Sequence, residues 1–334
     1  MRQTEQTTPG GAGGRVSRES SLQLPGVKLL PGPARKRLRS WVIDVLRREA
    51  PAPDYDLPKG DRGLFGPESV TWKVHADFPS MMAGGLGALM LQSLHPLALA
   101  GVWDHSDFRN EMLARLRGTI AFVARTTYAP RAAAEEAVAR VRSIHQKVRG
   151  TAADGRPYSA EDPRLLTWVH CAEARCFLEG YKAYCVRNVP RDMQDLYFKE
   201  SARVAEALGA GDVPKSLAEV DDYFRSVRAE LVYDARTREV LGALNAIRLP
   251  IPMAGMGRGL FLGAGAALLP DWALDLMDKP LPERARNRAA ALSLKLIAPS
   301  IRDAMAEGGL AWRACIRTGV DYAGLFRWAD GGDR

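Results

Sequence analysis

The segment that most constrains the fold runs from Phe78 to Trp103, where no Asp, Glu, Lys or Arg occurs. A charge-free stretch of that length must leave water, either inside a core or across a bilayer, which takes about 20 apolar residues. Several features favour the core. Gly84, Gly85 and Gly87 loosen a membrane helix, Gln92 and His95 carry polar groups that need partners, and His95-Pro96 breaks the segment near its middle. The flanks lack the usual interfacial anchors. The segment therefore predicts a buried, helix-rich wall whose glycines let something bulky approach the backbone.

Around that wall, apolar residues recur at spacings of three and four, the period of helices. Residues 1–33 read as a flexible arm punctuated by Pro25, Pro31 and Pro33, and residues 34–330 as one large helical domain. Arg35 to Arg48 is a basic helix with Leu38, Trp41, Val42, Val45 and Leu46 on one stripe. Such a helix either covers a core with its arginines solvated or lies on a membrane surface. After a Pro/Gly-rich linker, Asp104-His105-Ser106-Asp107 offers N-cap residues for a helix in which Met112, Leu116, Thr119, Ile120 and Val123 share a face. Pro130 opens the next helix and Gly150 closes it, while Asp154-Gly155 marks a tight turn. Asp162-Pro163 starts a long helix with Leu166, Val169, His170, Glu173, Phe177 and Tyr181 near one face. Asn188-Val189-Pro190 ends it, another helix runs from about Arg191 to Leu208 before Gly209, and Ser216-Leu217-Ala218-Glu219 is a capping box. The Gly-rich segment from Leu249 to Pro270 reads as a lid, a loop or a surface-seeking segment, and helices resume near Pro282. No alternation is long enough for a sheet, so the fold class is all-α, a single globin-like or bundle-like domain.

The chemistry open to such a domain narrows by exclusion. The net charge of +8 and pI near 9.4 suit an acidic partner or membrane surface, but Lys and Arg are scattered and no nucleic-acid motif occurs, so nucleic acid is not expected as a partner. Cys171, Cys176, Cys185 and Cys315 form no Cys-x-x-Cys pair and read as reduced thiols in a cytosol. Neither a secretory signal nor a twin-arginine pair is visible near Met1, so the expected location is cytoplasmic, with membrane association through the basic helix left open. The five histidines make no His-Glu-x-x-His zinc motif and no compact two-histidine, one-carboxylate set. Paired Glu-x-x-His motifs of a di-iron bundle, Gly-x-Ser-x-Gly and phosphate-binding loops are also absent.

What remains centres on Arg140 to Gly150. As a helix it places Val141, Ile144 and Val148 on one face with His145, while Arg142 and Arg149 flank the histidine by one turn on either side. An imidazole in an apolar pocket stays neutral and can ligate a metal; the alternative is a hydrogen-bonded core histidine. Arg115 precedes Thr119 by four residues, so both side chains reach the edge of one cavity, or else the threonine bonds to its own helix and the arginine snorkels. A single helical imidazole, nearby arginines able to pair with carboxylates, and Gly-rich apolar walls together suit a haem pocket with a histidine axial ligand, His145.

The order of motifs carries a resemblance. Gln92-Ser93-Leu94-His95-Pro96, Ala100 to Ser106, Phe122 to Tyr128, Arg140 to Gly150 and Trp168-Val169-His170 resemble the successive motifs of the oxygenase family that includes latex-clearing rubber oxygenase and MpaB. The resemblance covers roughly residues 60 to 250. It implies an almost wholly helical fold around haem b, with His145 as the proximal iron ligand and Arg149 as its motif partner. The Arg-x-x-x-Thr pair of the distal side falls on Arg115 and Thr119. One departure is visible: where the rubber-cleaving pattern has a lysine before that threonine, this chain has Gly118. The implied activity is use of O2 as co-substrate to cleave a carbon-carbon double bond in a lipophilic, isoprenoid-like molecule. Arg142 and Arg149 are then candidate haem-propionate partners, and His95 and His170 either line the distal cavity or are satisfied core groups. A non-catalytic haem or lipid carrier at a membrane surface is the competing expectation.

Overall fold

The structure is a computed structural model that describes residues 30–46, 52–249 and 254–327. The charge-free segment becomes two helices, α3 (Phe78–Gln92) and α4 (Pro96–His105), bent by 103° at the break that His95-Pro96 imposes. Asp77 caps α3 by accepting from Ser80 N, and Pro79 occupies its first turn, where a missing N–H costs nothing. No single helix among the described residues is long and apolar enough to cross a membrane.

The elements preceding this pair are α1 (Gly32–Leu46) and α2 (Val70–His75), and those after it are α5 (Phe108–Tyr128) and α6 (Arg131–His145). Then come a two-stranded ribbon, β1 (Arg149–Thr151) and β2 (Pro157–Ser159), and α7 (Pro163–Tyr184), α8 (Arg191–Leu208), α9 (Leu217–Val227) and α10 (Ala235–Ala246). The chain closes with α11 (Ala254–Ala266), α12 (Asp271–Leu276), α13 (Leu281–Ala306) and α14 (Leu310–Thr318). The all-α expectation holds. Local chemistry set many of the boundaries: Asp107, Asp162 and Ser216 cap α5, α7 and α9, and Gly209 ends α8 in the left-handed conformation at φ +105°. At α9 the box is not reciprocal, because Glu219 accepts from Lys215 N at 2.6 Å. The four cysteines are free and buried.

Four expectations need correction. The glycines of α3 admit neighbouring helices rather than a bulky ligand. A Cβ on Gly84 would stand 2.7 Å from the carbonyl of Cys176 in α7, and one on Gly180 of α7 would stand 2.7 Å from the carbonyl of Ser80. On the other side, a Cβ on Gly87 would stand 2.8 Å from the carbonyl of Gly265 in α11. Accordingly, the segment after Leu249 is neither lid nor loop over 254–266 but a core helix, wedged between α3 and α13; residues 250–253 lie outside the described residues. A sheet does exist, though only as the three-residue ribbon, which turns at Asp154-Gly155 with Gly155 at φ +84°. Finally, α1 already begins at Gly32, inside the stretch read as a flexible arm, while residues 1–29 lie outside the described residues. The basic helix packs on α13 with its Leu38 and Trp41 half-buried, and Arg117 of α5 donates to the carbonyl of Val45 at 2.7 Å near its end.

A buried ion pair binds the outer helix to the centre. Asp77 accepts from the Arg302 guanidinium of α13, whose Nη2 donates to Tyr184 O at 3.0 Å, so the α3 cap, the end of α7 and α13 share one polar knot. Replacing Arg302 by Ala strands a buried carboxylate and should cost about 3–5 kcal/mol in urea denaturation. Gly84→Val, which forces α3 off α7, should cost about 1–3 kcal/mol by the same measurement.

Candidate functional site

The glycine contacts hold α3 and α7 together over their first and last halves respectively. A cavity of about 320 Å³ opens between the end of α3, α4, α5, the end of α6, β2, the start of α7 and α10. Its lining is mostly apolar, with Leu97, Val102, Met112, Leu165 and Val240 among the walls. That volume lies at the lower end of small-molecule sites, which run to about 300–1,000 Å³.

Three polar side chains at this cavity matter for chemistry. His145, half-buried as the last residue of α6, lines it beside Ile144 and Val148. Its Nδ1 is buried without a hydrogen-bond partner, and burial lowers its pKa, with the Glu161 charge opposing, so the imidazole is neutral at pH 7. Arg115 of α5 also lines the cavity, and its guanidinium makes no ion pair among the described residues; burial lowers its pKa too. The third is His105, whose Nε2 stands 3.2 Å from the carbonyl of Arg149.

Other sequence candidates stand elsewhere. Thr119 is exposed and its hydroxyl donates to Arg115 O at 3.4 Å, the self-bonded alternative, so its inward orientation is corrected. The face read through Arg140 to Gly150 also changes, because α6 stops at His145 and the chain turns into β1. Arg149 therefore sits on the ribbon with an exposed side chain, not one helical turn past His145. Gly150 is no helix stop: a Cβ there would lie 2.7 Å from the hydroxyl of Tyr158 on β2. Arg142 turns to a separate groove between α6 and α8, shared with Arg131 and Arg203. His95 is buried outside the cavity lining, its Nε2 3.7 Å from the Glu230 carboxylate and its ring beside Trp168. His170 is also outside that lining, and its Nε2 has no partner.

Two lining groups escaped the sequence reading. Asp104-His105-Ser106-Asp107 reads as an N-cap cluster, although His105 also lies within the Ala100 to Ser106 motif. Tyr158 closes the cavity edge, donating to Asp104 Oδ2 at 2.6 Å; burial first, and then that bond, push its pKa up to about 12. Nothing local announced it, because three-residue strands carry no readable period.

His75, bonded to Thr127 Oγ1 at 2.9 Å and Tyr197 Oη at 3.1 Å, is a structural core group, and burial pushes its pKa down to about 3. His170 is likewise pushed down to about 4 by burial. For both, the unfolded chain protonates first as pH falls below the ordinary histidine value, so their stabilising contribution is complete above about pH 6.5 and is lost progressively toward pH 4. In urea titrations over that window, His75→Phe should reduce the slope of stability against pH by about 1 kcal/mol per pH unit.

The profile of the family described as "ER-bound oxygenase mpaB/B'/Rubber oxygenase, catalytic domain" matches residues 72–302, more than half of the chain. No curated protein and no solved structure matches.

Proposed function

We propose, from the premise that this chain belongs to the MpaB/rubber oxygenase catalytic-domain family, that it is a haem-b-dependent oxygenase of a lipophilic, unsaturated substrate. The observation that carries the reading is that a neutral imidazole, its Nδ1 buried without a partner, and a guanidinium with no ion pair among the described residues line one mostly apolar cavity. Unsatisfied buried polar groups are costly and native proteins seldom keep them without use.

The donor set fits haem. His145 is a neutral imidazole on the end of a helix, the form in which histidine ligates iron. Arg115 offers the fixed charge that a propionate or a polarised oxygen species would pair with. When bound, haem b supplies the iron chemistry that activates dioxygen. The chain's own residues do the rest. Leu97, Val102, Met112 and Val240 exclude water and select a hydrocarbon substrate by burial. His105 and Tyr158 hold the rim, the first against the carbonyl of Arg149 and the second against Asp104. Tyr158 keeps its proton, so the rim stays neutral at that point.

The reaction assigned is oxidative cleavage of a carbon-carbon double bond, in which both atoms of one O2 enter the two carbonyl products. The alkene carbons are oxidised, O2 is reduced, and no external reductant is consumed. Gly118 stands where the rubber-cleaving pattern has lysine, so a lysine at that position would not be available to a bound haem in this chain.

The test is a pyridine haemochrome assay on the haem-supplied parent and a His145→Ala variant, followed by incubation with a long-chain alkene under 18O-labelled O2. The parent should show a haem band and label in both carbonyl products, and His145→Ala should lose or shift the band. Arg115→Ala should keep the band and lose about 10- to 100-fold in oxygen consumption. A colourless parent that ignores haemin would overturn the reading; a coloured parent that consumes no oxygen with alkenes would assign a carrier instead.

A further inference from the structure

The helix α13 is amphipathic in an unusual sense: it presents apolar residues both inward and outward. Leu294, Ala298 and Ile301 are buried against α11 and the ends of α3 and α7. On the opposite side, Leu281, Ala285, Ala289, Leu292 and Leu296 follow one another at spacings of four, four, three and four, an arc of about 80° at 3.6 residues per turn. Leu281 is 78% exposed, Leu292 66% and Leu296 81%, so the outward leucines are among the most exposed large apolar groups on the described surface. The charges beside this stripe are of one sign: Arg288 and Lys295 border it on one side and Arg286 on the other, all exposed.

The neighbouring helices extend the same character. Over α1, α11 and α13 the sequence holds ten Lys or Arg and three acidic residues, Asp44, Glu283 and Asp303. Glu283 is engaged by Lys279 at 2.6 Å, and Asp303 faces Arg35 at 3.7 Å. Ile43 of α1 and Met256 of α11 are exposed as well, and so are Lys36 and Arg37 of α1.

We infer that the outer face of α13, with α1 beside it, is a docking surface for an anionic lipid bilayer. The charge pattern selects this occupant. A second copy of the chain meeting this face across a two-fold axis would bring Arg286, Arg288 and Lys295 against their own counterparts, whereas acidic headgroups complement them. Leucines between basic borders are the composition by which a helix lies in a membrane interface, apolar groups in the acyl boundary and cations at the headgroups. Such docking would set a lipophilic substrate's source beside the protein, but it is independent of whether haem is bound.

Cosedimentation of the full-length chain with phosphatidylcholine vesicles, with and without about 30% phosphatidylserine, tests it at physiological salt. The parent should bind the anionic vesicles and release from them as salt rises. Leu292→Glu with Leu296→Glu should lower that binding by at least about tenfold, with an unchanged urea midpoint because both side chains are exposed. Arg286→Ser, Arg288→Ser and Lys295→Ser together should weaken binding to anionic vesicles and leave any binding to neutral ones unaltered. A parent that ignores anionic vesicles, or a leucine variant that binds them as the parent does, overturns the inference. A parent that sediments as a dimer in solution and becomes a monomer on Leu292→Glu with Leu296→Glu also overturns it, assigning the face to self-association.

Discussion

The contact between α3 and α7 is the constraint on which the rest of this structure depends. Ser80 and Gly84 on one helix meet Gly180 and Cys176 on the other with backbone against backbone, a separation that no side chain larger than hydrogen at the two glycines permits. The same helix touches α11 through Gly87 and Gly265. Close approach of this kind removes the space that ordinary side chains would occupy, so the two neighbours of α3 are fixed in position with little freedom to slide. The outer helix α13 is then seated by α11 and by the Arg302 pair with the Asp77 cap.

The site follows from where that contact ends. Along α3 the small residues give way to Leu89 and Gln92, and along the antiparallel α7 the corresponding residues are Leu165, Leu166 and Val169. These larger side chains line the cavity. Across the same pair of helices Gln92 donates to Val169 O at 3.0 Å, and Trp168 donates to Gln92 O at 3.1 Å.

Place, more than partner count, distinguishes the histidines. His75 has a hydrogen bond on each ring nitrogen and belongs to the core, and although Nδ1 of His95, Nδ1 of His145 and Nε2 of His170 are all buried without a partner among the described residues, of these three it is His145 that lines the cavity. Its companion Arg115 carries a charge with no ion pair among the described residues. A ligand bearing an acidic or polarised group and a ligand-accepting metal would satisfy both at once, which is why the proposed haem chemistry attaches to these two residues rather than to His95 and His170, which lie outside the cavity lining.

Much of this was legible in the order of residues. Helix ends came from local chemistry that acts within one turn: Asp77, Asp107, Asp162 and Ser216 satisfy N–H groups beside them, and Gly209 adopts a left-handed backbone. The charge-free run by itself had to leave water, and the spacing of motifs singled out His145 and Arg115, which the structure places on one cavity. Only the tertiary structure decided what the α3 glycines face, that the 254–266 segment is a core helix, that Thr119 bonds to its own helix, and that Arg142 and Arg149 leave the His145 face. The physical reason is range. Caps and helical period depend on atoms a few residues apart, whereas the fate of a glycine face, or of the residues after a helix ends, depends on which distant backbone arrives there.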